Sequence, residues 1–359
     1  MPNGLGERPL RGAMLGTGSI AIHHMRAWQA IPGVQIVALA NRTRERAVAL
    51  GRQFAVDEAH IYADYRELLD KEKLDFVDVA TAPAIHREQV LAAAQHGVIV
   101  LCQKPFATSL DEAREMIAAC DRAGVRCVVH ENWRWRRWFR EIKQMLAQGV
   151  IGTPRYARFQ VHNAAVLPRP DSSRPGQLTS QPYTAQMPRL ILFEWGIHLL
   201  DVMRFLFGDI ETVYARTSHV SPLVRGEDMA VLLLGFRSGL TGLVDISWGT
   251  YTPTDRDSPR GSIDPFVVEG DKGTIELTPT RDDDTLTIAT AAGRESRPVH
   301  PGLSRADVYQ ESYLNTFSNF VQALRTGEPA ENEAHDNLKV LLAAFAAYES
   351  AASGQVVRL

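Results

Sequence analysis

Between Arg11 and His130 two patterns of apolar positions take turns along the chain. The short, nearly unbroken apolar runs AMLGTG, VQIVALAN, LDFVDVAT, HGVIVLC and GVRCVVH predict strands. Between them apolar residues recur at helical spacing in IAIHHMRAWQAI, TRERAVALGRQF, YRELLDKE, AIHREQVLAAAQH and SLDEAREMIAACDRA, which predict helices. The last of these opens with Ser109 and has Glu112 three residues on, a capping-box spacing. A strand with no polar alternation is buried on both faces, and strands that alternate with helices run parallel. The pattern therefore predicts an α/β, doubly wound parallel sheet of the Rossmann type.

From about Glu131 the pattern changes. NWRWRRWFREIKQMLAQG reads as a linking segment and helix. TPRYARFQVHN, ETVYARTSHV, MAVLLLGF, LTGLVDISW, PFVVEG, TIELTP and TLTIATA then read as strands joined by short polar turns. With few helices between them, they predict an α+β domain built on a large, mostly antiparallel sheet. Residues 167–190, rich in Pro, Ser and Gln, form either a lid or a surface insertion. The expected division is a loose tail over residues 1–10, a nucleotide-binding domain over 11–130 and a second domain over 131–359.

Composition narrows the function. The chain has 359 residues, of which 45% are hydrophobic, enough for two cores. A formal net charge of −3 gives no electrostatic pull toward nucleic acid. There is no run of about 18 apolar residues, and the apolar part of the N-terminus is too short for a signal peptide. Cys102, Cys120 and Cys127 lack the spacing of a zinc site, so no metal is expected. A reducing cytoplasm fits them. The expected partners are a small molecule and other copies of the chain, as a homodimer or homotetramer, because an open antiparallel sheet has a face that needs covering.

The first strand runs into GTGSIA, where Gly16, Gly18 and Ala21 have the G-x-G-x-x-A spacing between a strand and a helix. Gly16 permits the turn, Gly18 lets a pyrophosphate approach the backbone, and Ala21 keeps the helix close to the strand. At the end of the second strand an acidic residue would hold the ribose hydroxyls of NAD. Asn41, Arg42 and Thr43 stand there, with Arg44 next. Either these arginines pair with a 2′-phosphate, favouring NADP slightly, or they solvate a helix start. Lys104 follows the fifth strand in LCQKPFA. It is either a solvated strand exit or a group at the floor of an active site, since ligands of open parallel sheets bind beyond the strands' carboxyl ends. In LILFEWGIHLLDVMRFLFGD, Glu194, His198 and Asp201 have the spacing of one helix face among leucines and phenylalanines, and a buried polar stripe requires partners.

Four stretches, in order, resemble the Gfo/Idh/MocA oxidoreductases. They are GTGSIA, TAPAIHREQVLAAAQHGVIVLCQKPFA, FEWGIHLLDVMRFLFG and GEPAENEAHDNLKVLLAAFAAYESAASG, and they span nearly the whole chain. The resemblance implies hydride transfer between NAD(P) and a secondary hydroxyl or ketone of a sugar, cyclitol or related polyol. It places catalysis on Lys104, His198, Glu194 and Asp201. Cofactor contacts would come from Gly16, Thr17, Gly18, Ser19, Ile20, Asn41, Arg42, Arg44, Thr81, Pro83, His86, Gln103 and Lys104. His198 would act as base, Glu194 or Asp201 would orient it, and Lys104 would meet the reacting oxygen. Trp133, Arg134, Tyr156 and Arg158 either line the substrate site or serve in packing. Two positions depart from the family pattern. Gln103 replaces a glutamate before Lys104, and Glu194 replaces an aspartate before His198. An NAD-dependent glycoside hydrolase and a catalytically silent cofactor sensor are the alternative readings.

Overall fold

The computed structural model describes residues 5–168, 174–251, 265–279 and 284–359. Residues 1–4 of the expected tail and 169–173 of the expected lid or insertion lie outside the described residues. The chain forms two compact units, Met1–Asn132 with Tyr313–Leu338, and Trp133–Ser312 with Lys339–Leu359.

The first unit contains β1 (Leu10–Leu15), α1 (Ala21–Ala30), β2 (Val34–Ala40), α2 (Arg44–Gln53), β3 (Ile61–Tyr62), α3 (Tyr65–Lys71), β4 (Phe76–Val79), α4 (Pro83–Gln95), β5 (Ile99–Gln103), α5 (Leu110–Ala123) and β6 (Cys127–His130). Its six strands are all parallel, in the order β3-β2-β1-β4-β5-β6. Every residue of β4, β5 and β6 is buried, which is why their sequences carry no polar alternation. The order reverses between β1 and β4, where crossovers leave a crevice beyond the strand ends. At α5 the capping box is displaced by one residue. Ser109 Oγ accepts the Glu112 N–H at 3.2 Å, while the Glu112 carboxylate takes the Thr108 N–H at 3.0 Å.

The described part of the expected loose tail is held in place. The Leu5 N–H donates to the Leu324 carbonyl at 2.6 Å, Arg8 pairs with Asp75, and Leu10 opens β1. The segment Tyr313–Leu338 completes the unit's core. Phe317 stacks on Trp28 with centroids 4.1 Å apart, and Phe320 meets Phe76 edge-on at 5.5 Å. Arg126 donates to the carbonyls of Ala323 and Gly327 at 2.6 and 3.0 Å and pairs with Glu333 at 3.0 Å.

The second unit contains α6 (Arg137–Ala147), β7 (Pro154–His162), α7 (Gly176–Ser180), a π turn (Leu192–Gly196), α8 (Ile197–Phe207), β8 (Ile210–Ser218), β9 (Met229–Phe236), β10 (Thr241–Ser247), β11 (Phe266–Gly270), β12 (Gly273–Thr278), β13 (Thr285–Thr290) and β14 (Gly293–Pro298). Then follow α9 (Arg305–Thr326), α10 (Ala334–Ser353) and β15 (Val357–Arg358), with α9 and α10 divided between the units. The nine strands lie in the order β14-β13-β12-β11-β7-β10-β9-β8-β15. All pairs are antiparallel except β7 with β10.

Alternation sorts this sheet into two faces. Ala157, Phe159 and Val161 of β7 point inward, and Phe159 packs on Phe266 and Phe139 with centroids 5.0 and 5.7 Å apart. The other face includes Val231 and Leu233, which are 45% and 48% exposed. In register with Leu233 stand Tyr214 and Leu243, and Arg158 lies opposite Leu243. No helix among the described residues is long and apolar enough to cross a membrane.

Candidate active site

In the first unit the loop after β1 is shaped by two glycines. Gly16 has φ +99°, and a Cβ there would lie 2.7 Å from the Ala80 carbonyl oxygen, so only glycine fits against β4. A Cβ at Gly18 would meet nothing within 4 Å, which leaves the backbone open to a ligand. Ser19 is exposed, Ile20 is half-buried, and α1 begins directly after them. Asn41 Oδ1 accepts the Thr17 N–H at 3.2 Å, and its amide donates to the Thr43 carbonyl at 2.8 Å, tying the end of β2 to the glycine loop. The donors and the open space fit the pyrophosphate and ribose of a dinucleotide. Arg42 is exposed. Arg44 is spent locally, donating to the Ile61 carbonyl at 3.0 Å and to Glu58 at 3.2 Å.

The ends of β4 and β5 are joined by a histidine. His86, on α4, lies fully buried with Nε2 3.1 Å from the Thr81 carbonyl and Nδ1 3.0 Å from the Pro105 carbonyl. Burial lowers its pKa. Thr81 Oγ1 donates to Gln89 at 2.7 Å, and Pro83 occupies the first turn of α4, where its missing N–H costs nothing. Lys104 follows the last residue of β5, and its peptide bond to Pro105 is cis. Gln103 and His86, expected at the cofactor, turn their side chains into the unit. The Gln103 amide accepts the Lys104 N–H at 2.8 Å and faces His24 Nε2 at 3.1 Å and His130 Nδ1 at 2.9 Å.

His24, Asp78, Trp28 and His130 escaped the sequence reading. His24 Nδ1 stands 2.7 Å from Asp78 Oδ2, which also accepts the Trp28 indole N–H at 2.7 Å. The available signal was Asp78 itself, a charge inside the apolar run LDFVDVAT, because a buried carboxylate must find partners.

In the second unit a 3-10 turn, Trp133–Trp135, and α8 bring four of the expected residues together. The rings of Trp133 and His198 are stacked, with centroids 4.9 Å apart and planes 8° from parallel. The Arg136 guanidinium lies 3.9 Å from the Trp133 ring centroid. Arg134 and Asp201 form a buried two-point ion pair, with the Arg134 Nε–H donating to Asp201 Oδ2 at 2.8 Å. Asp201 is thus a partner of Arg134. Glu194 is buried but lies in the π turn, so its direction along the helix differs from that of a regular i, i+4 neighbour of His198. Glu227 caps the segment that leads into this turn. Its Oε1 accepts the N–H groups of Leu190 and Leu192 at 3.0 and 3.3 Å and the Tyr348 hydroxyl at 2.6 Å. Burial pushes the Glu227 carboxyl upward from its ordinary range.

Tyr156 and Arg158 do not join the cluster. Both alternate with the inward residues Ala157 and Phe159, so they project from the sheet face opposite the one on which Trp133 packs against Phe159. Among the described residues there is no group of three His, Cys, Asp or Glu side chains placed to hold a metal ion.

Comparison with known proteins agrees with this arrangement. Residues 10–131 match the NAD-binding Rossmann fold of the oxidoreductase family GFO_IDH_MocA, and residues 139–276 match the GFO/IDH/MocA C-terminal domain. A D-apiose dehydrogenase of Paraburkholderia graminis is 38% identical over 97% of this chain and 89% of its own length. The D-apiose dehydrogenase of Rhizobium rhizogenes is 36% identical over 97% of both chains. An oxidoreductase from Agrobacterium radiobacter, solved in complex with NAD+, L-tartaric acid and magnesium, superimposes with a TM-score of 0.88 at 34% identity, covering 98% of each chain. The sheet order, the glycine loop and the two matches, which together span both units, show that the chain belongs to the Gfo/Idh/MocA family of NAD-binding oxidoreductases.

Proposed function

We propose that this dehydrogenase oxidises a secondary hydroxyl of an aldose, cyclitol or related polyol, with Lys104 and His198 as the acting groups. A bound NAD(P) supplies the hydride acceptor. Gly16, Thr17, Gly18, Ser19 and Ile20 would hold its pyrophosphate and Asn41 its ribose, while Thr81 and Pro83 form the neighbouring wall. His198 takes the hydroxyl proton, since an imidazole titrates near neutrality and a stack on Trp133 sets the ring plane in both protonation states. Lys104 donates to the reacting oxygen and offsets the charge that develops there. Trp133 and Arg136 would offer an aromatic and cationic surface to a hydroxyl-rich ligand. The substrate class is supported by the two D-apiose dehydrogenases and by a myo-inositol 2-dehydrogenase of Thermotoga maritima, 26% identical over 98% of both chains.

With Arg44 engaged by Glu58, selectivity for a 2′-phosphate rests on Arg42, which keeps NADP as the preferred cofactor in this reading. The exposed face carrying Val231 and Leu233 supports pairing between copies of the chain. Three buried free cysteines suit a reducing cytoplasm.

The observation that carries the proposal is the place of Lys104, directly beyond a fully buried strand and with its backbone N–H fixed by Gln103. The test is a screen of D-apiose, other aldoses and cyclitols with NAD+ and NADP+, followed by the absorbance of the reduced nicotinamide. One of these substrates should reduce the cofactor. Lys104→Met should lower turnover about a hundredfold or more while leaving cofactor affinity within a few-fold. Normal turnover by the folded Lys104→Met variant, or a parent that binds cofactor and oxidises none of the panel, would overturn the assignment.

A further inference from the structure

The buried polar groups of the first unit converge on Gln103, and the orientation of its amide can be read without ambiguity. A backbone N–H only donates, so the atom 2.8 Å from the Lys104 nitrogen is the amide oxygen. The amide nitrogen therefore faces His24 Nε2 at 3.1 Å and His130 Nδ1 at 2.9 Å, and it donates one hydrogen to each. Each of those ring nitrogens must present a lone pair. For His24 the proton then sits on Nδ1, where it is donated to Asp78 Oδ2 at 2.7 Å. For His130 it sits on Nε2. Neither imidazole can gain a proton at the nitrogen facing Gln103 without losing an amide bond inside a core from which water is excluded.

We propose that Gln103 is a positioning residue: its amide keeps His24 and His130 uncharged, each in a single tautomer, and anchors the Lys104 peptide to that pair so that the lysine's placement does not vary with pH. The proposal rests on the reading of Lys104 as a catalytic group. The groups around the amide come from four elements. Helix α1 contributes His24 and Trp28, β4 contributes Asp78, and β6 contributes His130. From α9, the rings of Tyr313 and Phe317 close on His24 at 5.4 and 5.2 Å. Asp78 and Lys104 are the charged groups in this set, and one Asp78 oxygen, Oδ2, is shared by the Trp28 and His24 donors.

The chemistry is specific to an amide. A carboxylate has the same shape and would still accept the Lys104 N–H, but it can donate nothing. Both histidines would have to turn a proton toward it. His24, still donating from Nδ1 to Asp78, would become an imidazolium. An amide, by contrast, neither takes up nor releases a proton near neutrality, so Gln103 ends the Trp28–Asp78–His24 chain and isolates Lys104 from it.

Two measurements on the whole protein test this. In the parent, nitrogen NMR of labelled histidines, with His24 assigned by the signals lost in His24→Asn, should show His24 protonated on Nδ1 alone at neutral pH. A His24 that carries a proton on Nε2 overturns the proposal. Gln103→Glu should keep cofactor affinity and KM within about twofold, lower kcat about tenfold, and add an ionisation to the pH profile of kcat that the parent lacks. A folded Gln103→Glu variant with the parent's kcat and pH profile means that the amide only fills space, which also overturns it. The spectrum requires no substrate, so it judges the Gln103 network even if Lys104→Met proves fully active and the catalytic reading of Lys104 falls.

Discussion

His24 and His198 are both helical and both buried, and a different contact is seen at each ring. His24 is fixed in the plane of its ring, with Asp78 on one nitrogen and Gln103 on the other. Every change of protonation there breaks a hydrogen bond. His198 carries Trp133 stacked parallel on its ring face. A stack fixes the ring plane but does not by itself choose a tautomer, and it tolerates an imidazolium as well as a neutral ring. The first arrangement suits a support, whereas the proton exchange proposed above falls to the second ring. Burial alone therefore does not separate a structural histidine from a working one.

The comparison can be broken at several points, and the largest effect is expected at the anchor of the His198 helix. Arg134→Met removes the cation that pairs with the buried Asp201 carboxylate and should cost about 3–5 kcal/mol in chemical denaturation. A loss below about 1 kcal/mol, the size seen for exposed pairs, would show that the pair does not hold α8. Next come the histidines themselves. His198→Asn should lower turnover about a hundredfold with little change in the denaturation midpoint, whereas His24→Asn should lower the midpoint and spare the activity of the folded fraction. The opposite pairing of outcomes would reverse the roles argued above.

Smaller effects sharpen the contrast between the units. Arg42→Ala should weaken NADP more than NAD by roughly 1.5–3 kcal/mol, and equal losses in titrations with both cofactors would remove Arg42 from the site. On the outward face of the second sheet, Val231→Lys with Leu233→Lys should dissociate the proposed dimer or tetramer to the 39.8 kDa chain in sedimentation while kcat per subunit stays within about twofold. If the parent already sediments as a monomer, the face has another use.

What could be read in the sequence follows burial. The central strands of the first unit were legible because β4 and β5, covered on both faces, leave unbroken apolar runs. β14, GRESRP, was not, because at the sheet edge most of its residues are exposed and no alternation survives. β3 is two residues long and carries too little pattern to notice. In TPRYARFQVHN the alternation was visible, but not which parity meets the helices, so Tyr156 and Arg158 looked equivalent to Trp133 as substrate contacts. The spacing of Glu194 and His198 was counted on a regular helix. The π turn over Leu192–Gly196 changes that count, and no residue in LFEWG announces it. Asp78 was conspicuous as a charge, whereas its partners on α1 lie about 50 residues earlier, and only the fold brings them together.

The return of Tyr313–Leu338 to the first unit bears on how the protein is made. On a ribosome the first 132 residues emerge early, but the aromatic surface of Trp28 and Phe76 is covered only when Phe317 and Phe320 arrive. Roughly 180 residues of the second unit are translated in between, which at about 5–20 residues per second leaves that surface bare for some 10 to 35 seconds. The N-terminal unit of a nascent chain should accordingly complete its fold only after release or near it. Stalling translation before residue 313 should yield a protease-sensitive first unit, although every strand of its sheet has already been synthesised.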